Sequence, residues 1–314
     1  MRTASRLPVA LRLLLNRVKL EMKIGIIGPG KVGSAILALA AEAGYEIAYV
    51  AGRNRDRARR AADLVGSEIP AFSLASVPPT ASLIFLTVTD DAIAEVSGLI
   101  DRSGGLSSAR TLVHCSGVLS SEVLRRSIGA NHCQVVSAHP LQTFPDLPTA
   151  LKGLPGSFWF CEGDTRGLED IIGVIEQVGG RPQLIPTAFK PLYHAAAVIA
   201  CNYLVTLVDA ALEAASSAGV GRAIALEALH PLMAQTVDNV VRLDTAAALT
   251  GPIARGDVAT VNAHTELIRS RTPEILDLYL ILARRTVALA NRKGTLDKTK
   301  ADQIVQILDE TDQS

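Results

Sequence analysis

From Met22 onward the chain alternates short, almost continuous apolar runs with longer stretches of helical period. The runs are KIGII (23–27), EIAYVA (46–51), SLIFLTV (82–88), TLVHC (111–115) and QVVSAHP (134–140). Between them lie SAILALAAEA, DRARRAADLV, DAIAEVSGLI and SSEVLRRSI, which read as helices. Strands without polar alternation are buried on both faces, which predicts a parallel sheet sandwiched between helices. GSFWFC (156–161), EDIIGVIEQVG and RPQLIP carry the same texture to about residue 187, and the proline-rich PDLPTALKGLP (145–155) reads as a crossing loop.

From residue 188 no strand-like run remains. Long alanine- and leucine-rich segments predict helices over 191–218, 222–242, 257–270, 273–291 and 298–310. The expected fold class is therefore α/β: a Rossmann-type doubly wound parallel sheet over 22–187, followed by an all-α C-terminal domain over 188–314. The segment 195–220 is apolar over a membrane-spanning length, but Asn202, Asp209 and Glu213 interrupt it, so it is expected to be a buried helix of a large helical domain. Residues 1–21 are basic until Glu21 and contain the run VALRLLL. Arg12 breaks that run and no small-residue cleavage site follows, so the segment reads as an N-terminal extension rather than a targeting signal.

Composition narrows the function. A chain of 314 residues that is 48% hydrophobic is long enough for two domains with cores. Basic and acidic side chains number 31 each, so bulk charge offers no attraction to nucleic acid or a membrane surface. Aromatics are only 4%, too few for base-stacking platforms. Cys115, Cys133, Cys161 and Cys201 form no C-x-x-C pair, so neither a zinc site nor a disulfide framework is indicated, and a cytoplasmic location is expected.

The first strand runs into GPGKVG. Gly28, Gly30 and Gly33 have G-x-G-x-x-G spacing at a strand-to-helix junction, the context a dinucleotide-binding turn requires. Gly28 permits the tight turn, Gly30 lets backbone approach a pyrophosphate, and Gly33 lets the helix pack on the strand. Pro29, Lys31 and Val32 complete the loop, and the helix N-terminus offers free N–H groups to phosphate. The second strand ends AGRNRDR, without the acid that holds the ribose in NAD sites. Arg53, Asn54 and Arg55 are instead suited to a 2′-phosphate, which favours NADP over NAD. The competing reading is that Asn54 caps a helix beside solvated arginines, and the two are compatible.

MKIGIIGPGKVGSAI, LTVTDDAI, VHCSG, SAHPLQTF, YHAAAVIACNYLVTL and LTGPIARGDVATVNAH follow one another in order. In this the chain resembles the two-domain Rossmann-like proteins whose C-terminal half is a domain of unknown function. These belong to the broad group of 6-phosphogluconate dehydrogenase, pyrroline-5-carboxylate reductase and deazaflavin-dependent NADP oxidoreductases. The resemblance covers nearly everything after Met22. It implies the fold, a nicotinamide cofactor and a homodimer joined through the C-terminal helices, without a named reaction.

Ligands of open α/β sheets bind beyond the carboxyl ends of the strands. Those ends carry Thr87, Thr89 and Asp90, then His114, Ser116 and Gly117, then His139. Thr87 and Thr89 are read as cofactor contacts, Ser116 and His139 as substrate contacts; turns and caps are the bland alternative for each. In KPLYHAAAVIACNY, Lys190 and His194 share a helical face and Asn202 falls on much the same face. The wider group places a lysine and an asparagine four apart near the start of this helix; here histidine replaces the asparagine. The catalytic reading is that His194 or Lys190 moves a proton as hydride passes between nicotinamide and a carbonyl or imine carbon, with Asn202 orienting a small, anionic substrate. Arg255, in LTGPIARGD, is a candidate anchor for a substrate carboxylate or phosphate, or a bridge between subunits, and His264 a secondary candidate. The alternative to an oxidoreductase is a dinucleotide-binding sensor or regulatory protein without turnover.

Overall fold

The computed structural model describes residues 22–129 and 133–312; the expected extension 1–21 lies outside them. By internal contacts the chain divides into two compact units, with the boundary between Val198 and Ile199. The sequence draws that boundary after residue 187. The first unit runs further because the start of the next helix packs on the sheet: Lys190 is fully buried and the Tyr193 hydroxyl meets His139.

The first unit is built on eight strands: β1 (Lys23–Ile27), β2 (Glu46–Gly52), β3 (Ala71–Ser73), β4 (Leu83–Leu86), β5 (Thr111–His114), β6 (Gln134–Pro140), β7 (Phe158–Gly163) and β8 (Arg181–Leu184). They form one sheet in the order β3-β2-β1-β4-β5-β6-β7-β8. β1 to β6 run parallel, β7 is antiparallel to β6, and β8 is parallel to β7. The helices are α1 (Lys31–Glu42), α2 (Arg55–Ala62), α3 (Ile93–Arg102), α4 (Glu122–Ser127), α5 (Leu147–Gly153), α6 (Thr165–Gln177) and α7 (Lys190–Ala200).

Successive strand residues feed two cores, as the continuous apolar runs demand. Leu83, Phe85 and Val113 point into one, with Ile36 and Ile171; Ile84, Leu86 and Leu112 point into the other, with Ile93 and Ile100. Two local differences from the sequence reading have simple causes. The segment 145–155, read as a loop, contains α5, because Asp146 Oδ1 accepts from Thr149 N at 2.7 Å and a proline stands in the first turn. Strand β3 is three residues long and too short to show a period.

The second unit comprises α8 (Asn202–Ser217), α9 (Arg222–Leu243), α10 (Thr245–Ala248), α11 (Pro252–Arg255), α12 (Val258–Arg271), α13 (Leu276–Lys293) and α14 (Lys298–Asp312). Its core is Ile253, Val261, Leu280, Val287, Ile304 and Leu308, gathered from α11 to α14. The expected single helix over 191–218 is interrupted at Cys201, where the backbone leaves helical geometry (φ −117°, ψ −65°). The buried helix expected over 195–220 is also corrected. Leu212 is the one fully buried residue of α8, while Tyr203, Leu204 and Val205 are exposed. The stretch Thr187–Ser217 is long enough to cross a membrane and contains an 18-residue window with a mean hydropathy of 1.8.

Candidate functional site

The glycine loop turns sharply at Gly28, whose φ of +89° suits glycine, and Gly28 N donates to Ala51 O on the neighbouring strand at 2.9 Å. Thr87 fastens the loop from β4: its hydroxyl donates to Gly28 O at 2.8 Å and Ile27 O at 3.2 Å. A side chain at Gly33 would overlap the Thr87 hydroxyl, so glycine there is what lets α1 sit down on the strand ends. At Gly30 a Cβ would meet nothing nearer than Gly28 O at 3.9 Å, leaving the loop open toward a ligand. Val32 packs against the core, Pro29 is buried, and Lys31 is exposed on the first turn of α1.

Beside this loop lies a cavity of about 310 Å³. Gly28, Pro29 and Gly30 form one wall and Thr87, Val88 and Thr89 another, with Arg53, Asn54 and Arg57 at the end of β2. An open backbone loop at a helix N-terminus next to two arginines has the donors that a dinucleotide phosphate needs. A nicotinamide dinucleotide therefore fits these residues. Asn54 lines the cavity and also caps α2, accepting from Arg57 N at 2.9 Å. Arg55 donates from Nε to Ala71 O at 3.2 Å and stands apart from the residues that line the cavity. Arg57 takes that place, four residues after Arg53 across the cap turn.

A second polar cluster joins the ends of β5, β6 and β7 to the start of α7. Lys190 is fully buried, at 0% accessibility. Burial lowers its pKa, while the charge of Glu162 opposes the fall. His139 Nδ1 is 2.9 Å from the Tyr193 hydroxyl, and the His139 ring meets the His194 ring edge to face at 5.9 Å. Burial holds His139 down to about 4, helped by Lys190, His194 and His114. His114 is also held at about 4, first by burial. The neighbouring thiols Cys115 and Cys161 are pushed up to about 12 by burial and stay neutral.

Glu162 anchors this cluster. It is the only buried carboxylate among the described residues and accepts three hydrogen bonds. Ser121 N and Oγ donate at 2.7 and 2.8 Å, and Thr187 Oγ1 at 2.9 Å. It thus ties β7 to the entrance of α4 and to the turn that leads into Lys190. Ser116 is buried and its hydroxyl accepts from Val118 N and Leu119 N at 3.2 and 3.0 Å, a turn-forming role that occupies the oxygen expected to meet substrate.

The structure gathers Lys190, His194, His139 and His114 in the first unit. Asn202 belongs to the second unit, where it opens α8 with its side chain exposed; the interruption at Cys201 ends the helical phase that related it to His194. Arg255 is exposed at the end of α11, also in the second unit. Asp257 caps α12 through Thr260 N at 3.2 Å, and His264 pairs with the Tyr279 hydroxyl at 3.1 Å beside an apolar groove. Sequence reasoning did not single out Arg57, Tyr193 or Glu162. Tyr193 was signalled by its place one turn after Lys190, and Glu162 by being an acid inside the apolar run of β7.

Two family models match the chain: NADP oxidoreductase coenzyme F420-dependent over residues 23–115, and a domain of unknown function (DUF2520) over residues 157–286. No curated protein matches it. Among solved structures, protein TM1727 from Thermotoga maritima is 29% identical, with a TM-score of 0.69 over 86% of this chain and 99% of that one. BF3122 from Bacteroides fragilis, provisionally described as an NADP oxidoreductase, is 23% identical, with a TM-score of 0.65 over 85% and 98%. An imine reductase from Pseudomonas sp. shares the fold at 20% identity, with a TM-score of 0.59 over 91% and 99%.

Proposed function

We propose that this chain, a two-domain Rossmann-like protein joining an NADP-oxidoreductase-type half to a C-terminal domain of unknown function, is an NADP-dependent reductase or dehydrogenase of a small metabolite. The observation that carries the proposal is the cavity in which the open Gly28–Gly30 loop faces Arg53 and Arg57. The loop and the N-terminus of α1 hold the pyrophosphate, and the two arginines hold the 2′-phosphate. When bound, the dinucleotide supplies or accepts hydride. The chain's own part is the proton: Lys190 and His194 deliver it to, or remove it from, the reacting group, with His139, itself bonded to Tyr193, set edge to face against the ring of His194. Arg255 anchors an anionic group of the substrate. The protein works in the cytoplasm as a homodimer.

Fluorescence titration of the full chain with NADPH and with NADH tests this reading. NADPH should bind more tightly, and Arg53→Ala or Arg57→Ala should each weaken NADPH by about tenfold or more while leaving NADH unchanged. Equal binding of both cofactors removes the 2′-phosphate argument, and binding of neither removes the reductase. Firm NADPH binding without consumption by any carbonyl or imine compound would instead favour a dinucleotide sensor.

A further inference from the structure

Beneath α7 the sheet carries a row of buried polar side chains. In the strand register His114 of β5 stands beside Ser137 of β6, and Ser137 stands beside Glu162 of β7. Facing positions on paired strands share one side of the sheet, so Ser137 lies in the middle of the row. His139, two residues further along β6, is on that side as well. His114 and Ser137 are 0% accessible and Glu162 3%.

Ser137 Oγ and, from the helix above, Lys190 Nζ are shut off from solvent and have no hydrogen-bond partner among the described residues. His194 Nδ1 is in the same condition, but its ring lies beside Gly117 and His139. The reach of the Lys190 charge places its amine. It acts on His114, on His139 and on Glu162. These are the neighbours of Ser137 on β5, along β6 and on β7, which sets the amine over the middle of the row. Cys115, Cys161 and the exposed Asp90 complete the titratable groups that face it from the strands, with Tyr193 and His194 on its own helix.

Glu162 has room for one more donor. Its Oε2 accepts from Ser121 Oγ and Thr187 Oγ1, at 2.8 and 2.9 Å, whereas its Oε1 accepts only from Ser121 N, at 2.7 Å. A carboxylate oxygen accepts two bonds, so Oε1 keeps a lone pair. A buried hydroxyl and a buried amine without partners are costly, and a water molecule satisfies both. It accepts from Lys190 Nζ, donates to Glu162 Oε1 and bonds the Ser137 hydroxyl. Three polar partners are the usual complement of an internal water.

We propose that a buried water held by Ser137 Oγ, Lys190 Nζ and Glu162 Oε1 ties α7 to the sheet, and that Ser137 is the residue that positions the Lys190 amine. The inference concerns the resting protein and does not depend on the reductase reading. Through the water, the charge of Glu162 stabilises the ammonium form of Lys190, which burial alone opposes.

The test uses the full chain without cofactor or substrate. A crystal structure should show an ordered water within about 3.2 Å of both Ser137 Oγ and Lys190 Nζ. A direct Ser137–Lys190 bond, or no water between them, overturns the proposal. The Lys190 titration is read from the ¹³Cε resonance of ¹³C-lysine-labelled protein and assigned by Lys190→Met. In Ser137→Ala its midpoint should fall by about one pH unit. An unmoved midpoint shows that Ser137 does not hold the amine. Urea denaturation gives the sign independently. Exchanging a truly unpartnered hydroxyl for a methyl group stabilises a core, whereas removing an anchor of a bound water weakens it. The urea midpoint of Ser137→Ala should therefore fall, and a rise overturns the proposal. Failure to bind NADPH or NADH would end the reductase reading and leave all three results as they are.

Discussion

At the scale of single residues, the α/β unit keeps two histidines, His114 and His139, neutral by burying them, and this links its stability to acid. An unfolded histidine titrates near 6.5, whereas His114 in the fold is held at about 4, chiefly by burial and against the pull of its hydrogen bond to Ser120. As pH falls, the unfolded chain takes the proton first. Stability is therefore full above the unfolded value and drains away as pH drops from 6.5 toward 4. Between pH 7 and pH 5 one such histidine accounts for about 2 kcal/mol. Urea denaturation at the two pH values should show a loss of that order, and His114→Asn should flatten the dependence. Persistence of the full slope in the variant would assign it to other groups. The sequence made His114, His139, Lys190 and His194 visible as polar residues at strand ends and on a helical face. It did not reveal that Tyr193 meets His139 or that Glu162 ties the turn before Lys190 to β7, because those contacts span 54 and 25 residues of chain.

At the scale of elements, Glu162 is the joint of the polar corner where β7, α4 and the start of α7 meet. Its three hydrogen bonds fix α4, β7 and the turn before α7 against one another. Glu162→Ala leaves the Ser121 N–H and two hydroxyls without their acceptor and should cost about 3 kcal/mol in urea denaturation, with a smaller loss for Glu162→Gln. An unchanged midpoint would show the joint to be dispensable. The parallel strands and long helices were legible because each run buries both faces or repeats with helical period. The reversed direction of β7 was not, since nothing in FWFCEG encodes which way its partner runs. The helix in 145–155 was hidden by its prolines, although the cap at Asp146 was there to be read. The interruption at Cys201 has no proline or glycine to announce it.

At the scale of the molecule, α8 and α9 leave much apolar surface uncovered: Val205, Leu232 and Val241 are 69%, 63% and 83% exposed. We propose that a second copy of the chain covers this surface. Sedimentation should give a dimer at about micromolar concentration, and Val205→Glu with Val241→Glu should give a monomer of unchanged helicity. A wild-type monomer would end the dimer proposal. The division after Val198 has a further consequence, for synthesis. All eight strands precede it, so the whole sheet leaves the ribosome before the helical unit is complete. Translation at about 5–20 residues per second leaves the nascent sheet on the order of ten seconds to close. The dinucleotide loop and Lys190 belong to that early half, so the ligand-binding end of the protein is assembled while the apolar helices are still being made.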